Sequence, residues 1–135
     1  MDFVTDRTEA DVVNRNSKGI YGPDDLNRVE SAVDELIALA PKLDIYLNLK
    51  TKTDWGMPGV FPAGFPTRSE MDRYLSNVRA VRDAFGLSAS LPSTMRRLTY
   101  TGANNIERVL ALAFQKAERI IKNNIYCGEI FAGEE

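Results

Sequence analysis

Asp54 stands directly before Trp55, and an indole beside a carboxylate can hold a sugar ring. A glycosidase would need a second carboxylate about 5–9 Å away, and the many acids of this chain mark out no partner for Asp54. Asp24 and Asp25 are adjacent, yet neighbours on a helix point about 100° apart. Both are explained by the first turn of a helix, where acids complement the dipole. Carboxylates are the only route to acid–base catalysis, because the sequence contains no histidine. Histidine is the usual general base near neutral pH and the commonest metal ligand, so Ser-His-Asp and Cys-His arrangements are excluded too. Cys127 is the lone cysteine, so no zinc site of familiar type fits within one chain. No glycine-rich phosphate cradle of the P-loop or dinucleotide kind occurs. The reading is a protein that is not an enzyme and uses no cofactor and no metal.

Other partners are narrowed in the same way. Arg68, Arg73, Arg79, Arg82, Arg96 and Arg97 could touch phosphates, but Arg68 with Asp72 and Arg79 with Asp83 have the spacing of intrahelical pairs. An isoelectric point near 5.3 is far from the basic footprint of nucleic-acid binding. No apolar stretch approaches the roughly 20 residues that cross a bilayer. Neither nucleic acid nor membrane is expected as a partner. The charge is uneven: residues 1–49 sum to −5 and residues 67–97 to +3. Such asymmetry suits self-association or docking on a charged partner, beside the plainer reading of solvated helix faces.

The elements that must carry these residues are helical, within one domain spanning 1–135. Thr8 caps a short first helix that Lys18 and Gly19 stop, with only Val12 and Val13 as large apolar residues. A second helix runs from Pro23 to Ala40, with Leu26, Val29, Val33, Leu36, Ile37 and Ala40 on one face. Pro41 ends it. Thr67-Arg68-Ser69-Glu70 is a capping box opening a third helix, whose stripe is Met71, Tyr74, Leu75, Val78, Val81 and Phe85 before Gly86. A fourth helix, from about Thr101 to Ile125, carries Ile106, Val109, Leu110, Ala113, Phe114, Ala117, Ile120 and Ile121, a stripe wide enough for two neighbours.

Between the second and third helices, residues 45–49 alternate like a short strand, and residues 51–66 form a long loop rich in proline and glycine. Trp55, Met57, Phe61 and Phe65 make this loop too apolar to be left in water. They either lap over the helices as a lid or face a partner; Trp55 itself is either a core plug or a binding anchor. The tail, residues 128–135 with Ile130 and Phe131, is expected to be extended and to pair with 45–49 as a two-stranded ribbon. Asn27 and Arg28 lie off the apolar face of the second helix, so packing does not explain them. The expected fold class is mainly α: a small antiparallel bundle of three main helices and one short one.

Several segments in order carry a resemblance. They are Asp6-Arg7-Thr8-Glu9-Ala10-Asp11-Val12, Asp25-Leu26-Asn27-Arg28-Val29-Glu30 and Lys52-Thr53-Asp54-Trp55. Then come Pro66-Thr67 with Met71, Arg73-Tyr74-Leu75 and Asn77-Val78, followed by Leu98-Thr99-Tyr100, Ala103-Asn104-Asn105-Ile106-Glu107 and Gly128-Glu129-Ile130-Phe131-Ala132-Gly133-Glu134. Over nearly the whole chain this order resembles small minor structural or tail-associated proteins of tailed phages and prophages of Gram-positive bacteria. Residues 56–65 form a longer insert than that family has. The resemblance implies a non-enzymatic virion component, made in the bacterial host cytoplasm, whose partners are other phage structural proteins or further copies of itself. It implies no catalytic residues. Trp55, Asp54, Met57, Phe61, Phe65, Asn27, Arg28, Ile130 and Phe131 are the candidate contact residues. Two alternatives stand beside it: a module that binds host cell-wall carbohydrate through Trp55, Asp54 and Tyr46, and a small carboxylate-dependent wall hydrolase.

Overall fold

A computed structural model describes residues 3–16, 18–55 and 67–134, with side chains of the last helix described as far as Asn123. It is mainly helical. The elements are α1 (Glu9–Val13), α2 (Pro23–Leu39) continued by a 3-10 turn (Ala40–Leu43), α3 (Arg68–Ala84) and α4 (Tyr100–Glu134).

Each start follows from local chemistry. Thr8 and Asp11 satisfy each other's amides at the head of α1. At α2 the Asp25 carboxylate accepts from the Gly22 amide at 2.9 Å, with Pro23 in the first turn. Thr67 and Glu70 form the reciprocal box that opens α3. Thr99, two residues ahead of the expected start of α4, is its cap, its hydroxyl accepting from the Gly102 amide at 3.0 Å.

The ends differ more from expectation. α1 stops at Val13, because Asn16 turns its side chain onto Asp11 and its carbonyl-type oxygen onto the Gly19 amide, offering the backbone a competing set of bonds. α2 ends at Leu39, just before Pro41 as expected; the chain then tightens to a 3-10 turn over Ala40–Leu43, which Asp44 ends in the left-handed region at φ 57°. After α3, Gly86 at φ 65° closes a paired cap, with the Gly86 amide on the Asp83 carbonyl and the Leu87 amide on that of Arg82. α4 runs through Glu134, so the tail is helical where an extended segment was expected. Gly128 and Gly133 cost a helix only about 1 kcal/mol each, and no proline follows Pro92 to break it. Among the described residues there is no strand; residues 45–49 are irregular and the expected ribbon does not form.

The apolar stripes meet as expected. Val29, Val33 and Leu36 of α2, Tyr74, Val78 and Val81 of α3, and Ile106, Val109, Leu110 and Ala113 of α4 share one core, with Phe85 and Trp55 closing it. The helix directions do not follow the antiparallel expectation. Arg73 pairs with Glu30, and one turn further along α3 Asn77 bonds the Lys50 carbonyl, whose neighbour Thr51 bonds Asp34 one turn further along α2. So α2 and α3 climb together. Tyr74, early in α3, is linked through Tyr21 and Arg7 to Asn104 and Glu107, early in α4. At the other end the Phe85 carbonyl accepts from Lys116. All three long helices are therefore parallel. Short connections force neighbours to be antiparallel, but residues 44–67 and 85–99 are long enough to carry the chain back. A 17-residue helix spans about 25 Å, and extended chain covers about 3.3 Å per residue.

Close approach of backbone decides one position near α1. A Cβ added at Gly19 would lie 2.1 Å from the Asp11 carbonyl oxygen. Gly19→Ala is expected to displace the α1 turn, costing about 1–3 kcal/mol. Urea unfolding and amide exchange of residues 8–20 would check this; unchanged protection there would refute the close approach.

Candidate functional site

Two clusters of buried polar side chains join the elements. The first gathers at the start of α2 and α4. Glu107 has no exposed surface. One of its oxygens accepts from the Val4 amide at 3.1 Å and Arg28 Nε at 2.6 Å, the other from Arg7 Nη2 at 2.5 Å and Arg28 Nη2 at 2.9 Å. Asp25 accepts from the same two guanidiniums. Arg7 spends its remaining donors on the Lys18 and Val4 carbonyls and on Asn104, and its guanidinium lies 5.4 Å from the centre of the Tyr21 ring. Asn104 also grips the Arg7 backbone, accepting from its amide and donating to its carbonyl, both at 3.0 Å. Two cations and two anions close on each other.

Glu107 above all, against the cost of burial, and Asp25 next hold the Arg28 guanidinium even more firmly protonated than usual. Burial pushes the Tyr21 and Tyr74 hydroxyls, which hydrogen-bond each other, well above the ordinary phenol value of 10.0. Both stay neutral at any physiological pH.

The second cluster centres on Glu30 in α2, also buried. Arg73 of α3 meets it with both terminal nitrogens, at 2.6 and 3.2 Å. Its oxygens further accept from the Lys52 amide at 3.1 Å and from the Trp55 indole N–H at 2.5 Å. Arg73 and Asn77 both donate to the Lys50 carbonyl. Asn27 clamps the Trp55 backbone, its oxygen accepting from the amide at 2.8 Å and its nitrogen donating to the carbonyl at 2.9 Å. Segment 50–55 is thereby strapped across α2 and α3.

These contacts place the candidate residues. Trp55, 3% exposed, is a core plug, with Lys52 Nζ 5.1 Å from its ring centre. Asp54 pairs with Lys52 at 2.9 Å, and the lysine's hydrogen bond holds that exposed carboxyl below its ordinary value. Asn27 and Arg28, which packing could not explain, are explained by Trp55 and Glu107. Met57, Phe61 and Phe65 lie outside the described residues. Ile130 and Phe131 fall on the last turns of α4, where only the backbone is described. Tyr46, 84% exposed, stands apart from Trp55's enclosed ring. The intrahelical pair expected for Asp83 is not made with Arg79; Arg82 takes that carboxylate at 3.1 Å.

Sequence reasoning passed over Tyr21, took Arg73 as a possible phosphate contact, and gave Arg7, Glu30, Asn104 and Glu107 no part in the site beyond the resemblance. A signal existed for two of them. Glu30 follows Val29 and precedes Val33 by three, and Glu107 follows Ala103 by four and precedes Leu110 by three, so both acids sit inside apolar stripes. Among the described residues, no group of three or more acids and cysteines is placed to hold a metal ion, and no helix is long and apolar enough to cross a membrane. Compared with protein-family models, with curated proteins and with solved structures, the chain gives no match.

Removing one partner of a buried ion pair strands the others. Glu107→Gln leaves Arg7 and Arg28 facing Asp25 alone and is expected to cost about 3–5 kcal/mol. Equilibrium urea unfolding reads this directly; a loss below about 1 kcal/mol would mean the cluster contributes little cohesion. A second expectation concerns pH. The folded-state values of Tyr21 and Tyr74 lie above the ordinary 10.0, so their contribution is whole below that pH and declines as pH rises beyond it. Tyrosinate absorbance should show two of the five tyrosines ionising only as circular dichroism reports unfolding. If all five titrate while the helices persist, the burial of this pair is wrong.

Proposed function

We propose that this chain is a non-enzymatic structural component of a tailed phage or prophage particle, a tail- or baseplate-associated docking protein built on a small helical bundle. Its partners in this reading are other phage structural proteins. The ordered segments from Asp6 to Glu134 that resemble such proteins support it. So does the use made of the buried charges. Arg7, Asp25, Glu30 and Glu107 all bind one another, a neighbouring arginine or the backbone, which is the chemistry of cohesion.

The observation that carries the docking part is the strapping of residues 50–55. Trp55, Asn27 and Glu30 fix the root of the loop from which Met57, Phe61 and Phe65 continue. In this reading Trp55 anchors the loop and does not itself touch the partner. The loop's apolar residues are its contacts in this reading, and Ile130 and Phe131, on the last turns of α4, are a separate pair. The carbohydrate alternative loses its main platform to the burial of Trp55 and is left with Tyr46. The hydrolase alternative has Asp54 held by Lys52.

Particle composition tests the proposal. In purified virions or induced prophage tails encoding this chain, quantitative mass spectrometry should find it in fixed ratio to the tail proteins. A phage lacking it should make particles with defective tails. Its absence from particles that are complete and infectious would defeat the reading.

A further inference from the structure

Two segments cross the long helices, and they are held differently. Segment 50–55 places the Trp55 indole in the core. Among the described residues of 3–22, the one buried outright is Arg7, its side chain 2% exposed. α1 buries nothing, and its Val12 and Val13 face outward. The leading arm is therefore held through residues 3–7.

Those residues, free of helix and turn, lie along α4 as a ligand would. The Phe3 ring stands 5.8 Å from that of Phe114. The Val4 amide donates to Glu107, the Thr5 carbonyl accepts from Arg108 at 3.5 Å, and Asn104 takes both peptide groups of Arg7. Arm and helix thus run in opposite directions, and their lengths agree. Phe114 to Asn104 is about 15 Å of helix, and Phe3 to Arg7 about 13 Å of extended chain. An amide side chain that grips the N–H and C=O of one residue reads backbone, and the pocket beneath it reads the side chain. Nε of Arg7 donates to the Lys18 carbonyl, Nη1 to the Val4 carbonyl and Asn104, and Nη2 to Asp25 and Glu107.

Without Arg7, Arg28 alone would face two carboxylates, Asp25 and Glu107, leaving one negative charge unmatched. Glu107 has no exposure and the Asp25 side chain only 12%, so water is a poor substitute. The site calls for a cation, and for a forked one. A lysine ammonium is a compact charge with no planar fork to reach acceptors on several sides.

We propose that the heads of α2 and α4 form a recognition site for an extended peptide centred on arginine, with segment 3–7 as its resident, displaceable occupant. Glu107 and Asp25 select the guanidinium, Arg28 keeps the two carboxylates together, and Asn104 fixes the backbone register. One buried anchor makes the occupant releasable, because α2, α3 and α4 keep their shared core when it leaves. A partner segment of the same chemistry then takes the site and frees α1 with the arm. The inference goes beyond the tail reading and does not depend on it.

Displacement in the wild-type full chain tests it and requires no variant to fold. The probe is a synthetic peptide of residues 3–14, blocked at both ends and added unlabelled to isotopically labelled protein. Near the effective concentration of a short tether, about millimolar, it should compete with the arm. Exchange protection of the chain's own Val4 and Arg7 amides should then fall at least about ten-fold, with that of α2, α3 and α4 unchanged. The Arg7→Ala peptide should do nothing, and the Arg7→Lys peptide should be at least about ten-fold weaker. Full-length Arg7→Ala, its own arm unanchored, should capture the wild-type peptide one to one at least about ten-fold more tightly than the wild type does. Adding Asn104→Ala should abolish that capture. An arm that no peptide displaces, displacement by the alanine peptide as well, or an arm that opens only when the three long helices unfold would overturn the proposal. None of these outcomes decides whether the chain is found in phage particles, which particle composition reads separately.

Discussion

Glu107 has no contact with water, so its two oxygens must be satisfied by protein, and that requirement organises the rest of the molecule. The donors come from two segments far from Glu107 in sequence: the Val4 amide and Arg7 before α1, and Arg28 on α2. An ionised carboxylate left alone in the interior would cost several kcal/mol. The segment ahead of α1, which buries little apolar surface of its own, is therefore held in place by charge. Apolar side chains of equal volume would be no less stable there, but they would be indifferent to which helix end they met. Glu107 is satisfied only where Arg28 and Arg7 converge, and Glu30 only opposite Arg73. The polar pairs discriminate between helix arrangements that the apolar stripes alone would accept.

Parallel helices impose a second constraint. Each connection must travel back along the bundle, and it brings peptide groups that would otherwise have to face water. The first return, residues 50–55, crosses α2 and α3 close to the core. Its Lys50 carbonyl, Lys52 amide and both Trp55 peptide groups need partners on the helices. Arg73 and Asn77 supply the first, Glu30 the second and Asn27 the last two. The polar residues embedded in α2 and α3 are thus consequences of the topology. They are where the returning chain is stitched down. Trp55 adds its indole to the core in the same motion.

This explains what could be read in advance and what could not. The stripe positions and the caps at Thr8 and Thr67 are local, so periodicity and spacing reveal them. Helix direction is not local, because a stripe reads the same whichever way its helix runs; only the lengths of residues 44–67 and 85–99 hinted that the chain could return. The far end of α4 was misplaced for a different reason. Two glycines with no proline weaken a helix without ending it, and a sequence offers no sharper sign than that. Asn27 and Arg28 stood out as unexplained by packing, yet their partners lie 28 and 79 residues away. Glu30 and Glu107 were legible in principle as acids inside apolar stripes. What hid them was the habit of treating a lone charge at a stripe's edge as solvated.

The internal clusters also determine what the surface can do. Arg7 and Arg28 balance Asp25 and Glu107, and Arg73 balances Glu30, so each buried group is electrically closed. Burying them in pairs removes two cations and two anions from residues 1–49, together with one cation and one anion from the later segments. The exposed remainder keeps the contrast seen along the sequence, with an acidic leading part and an arginine-bearing middle. Parallel packing then brings the two regions to the same end, since α1, the start of α3 and the strap before α4 all meet there.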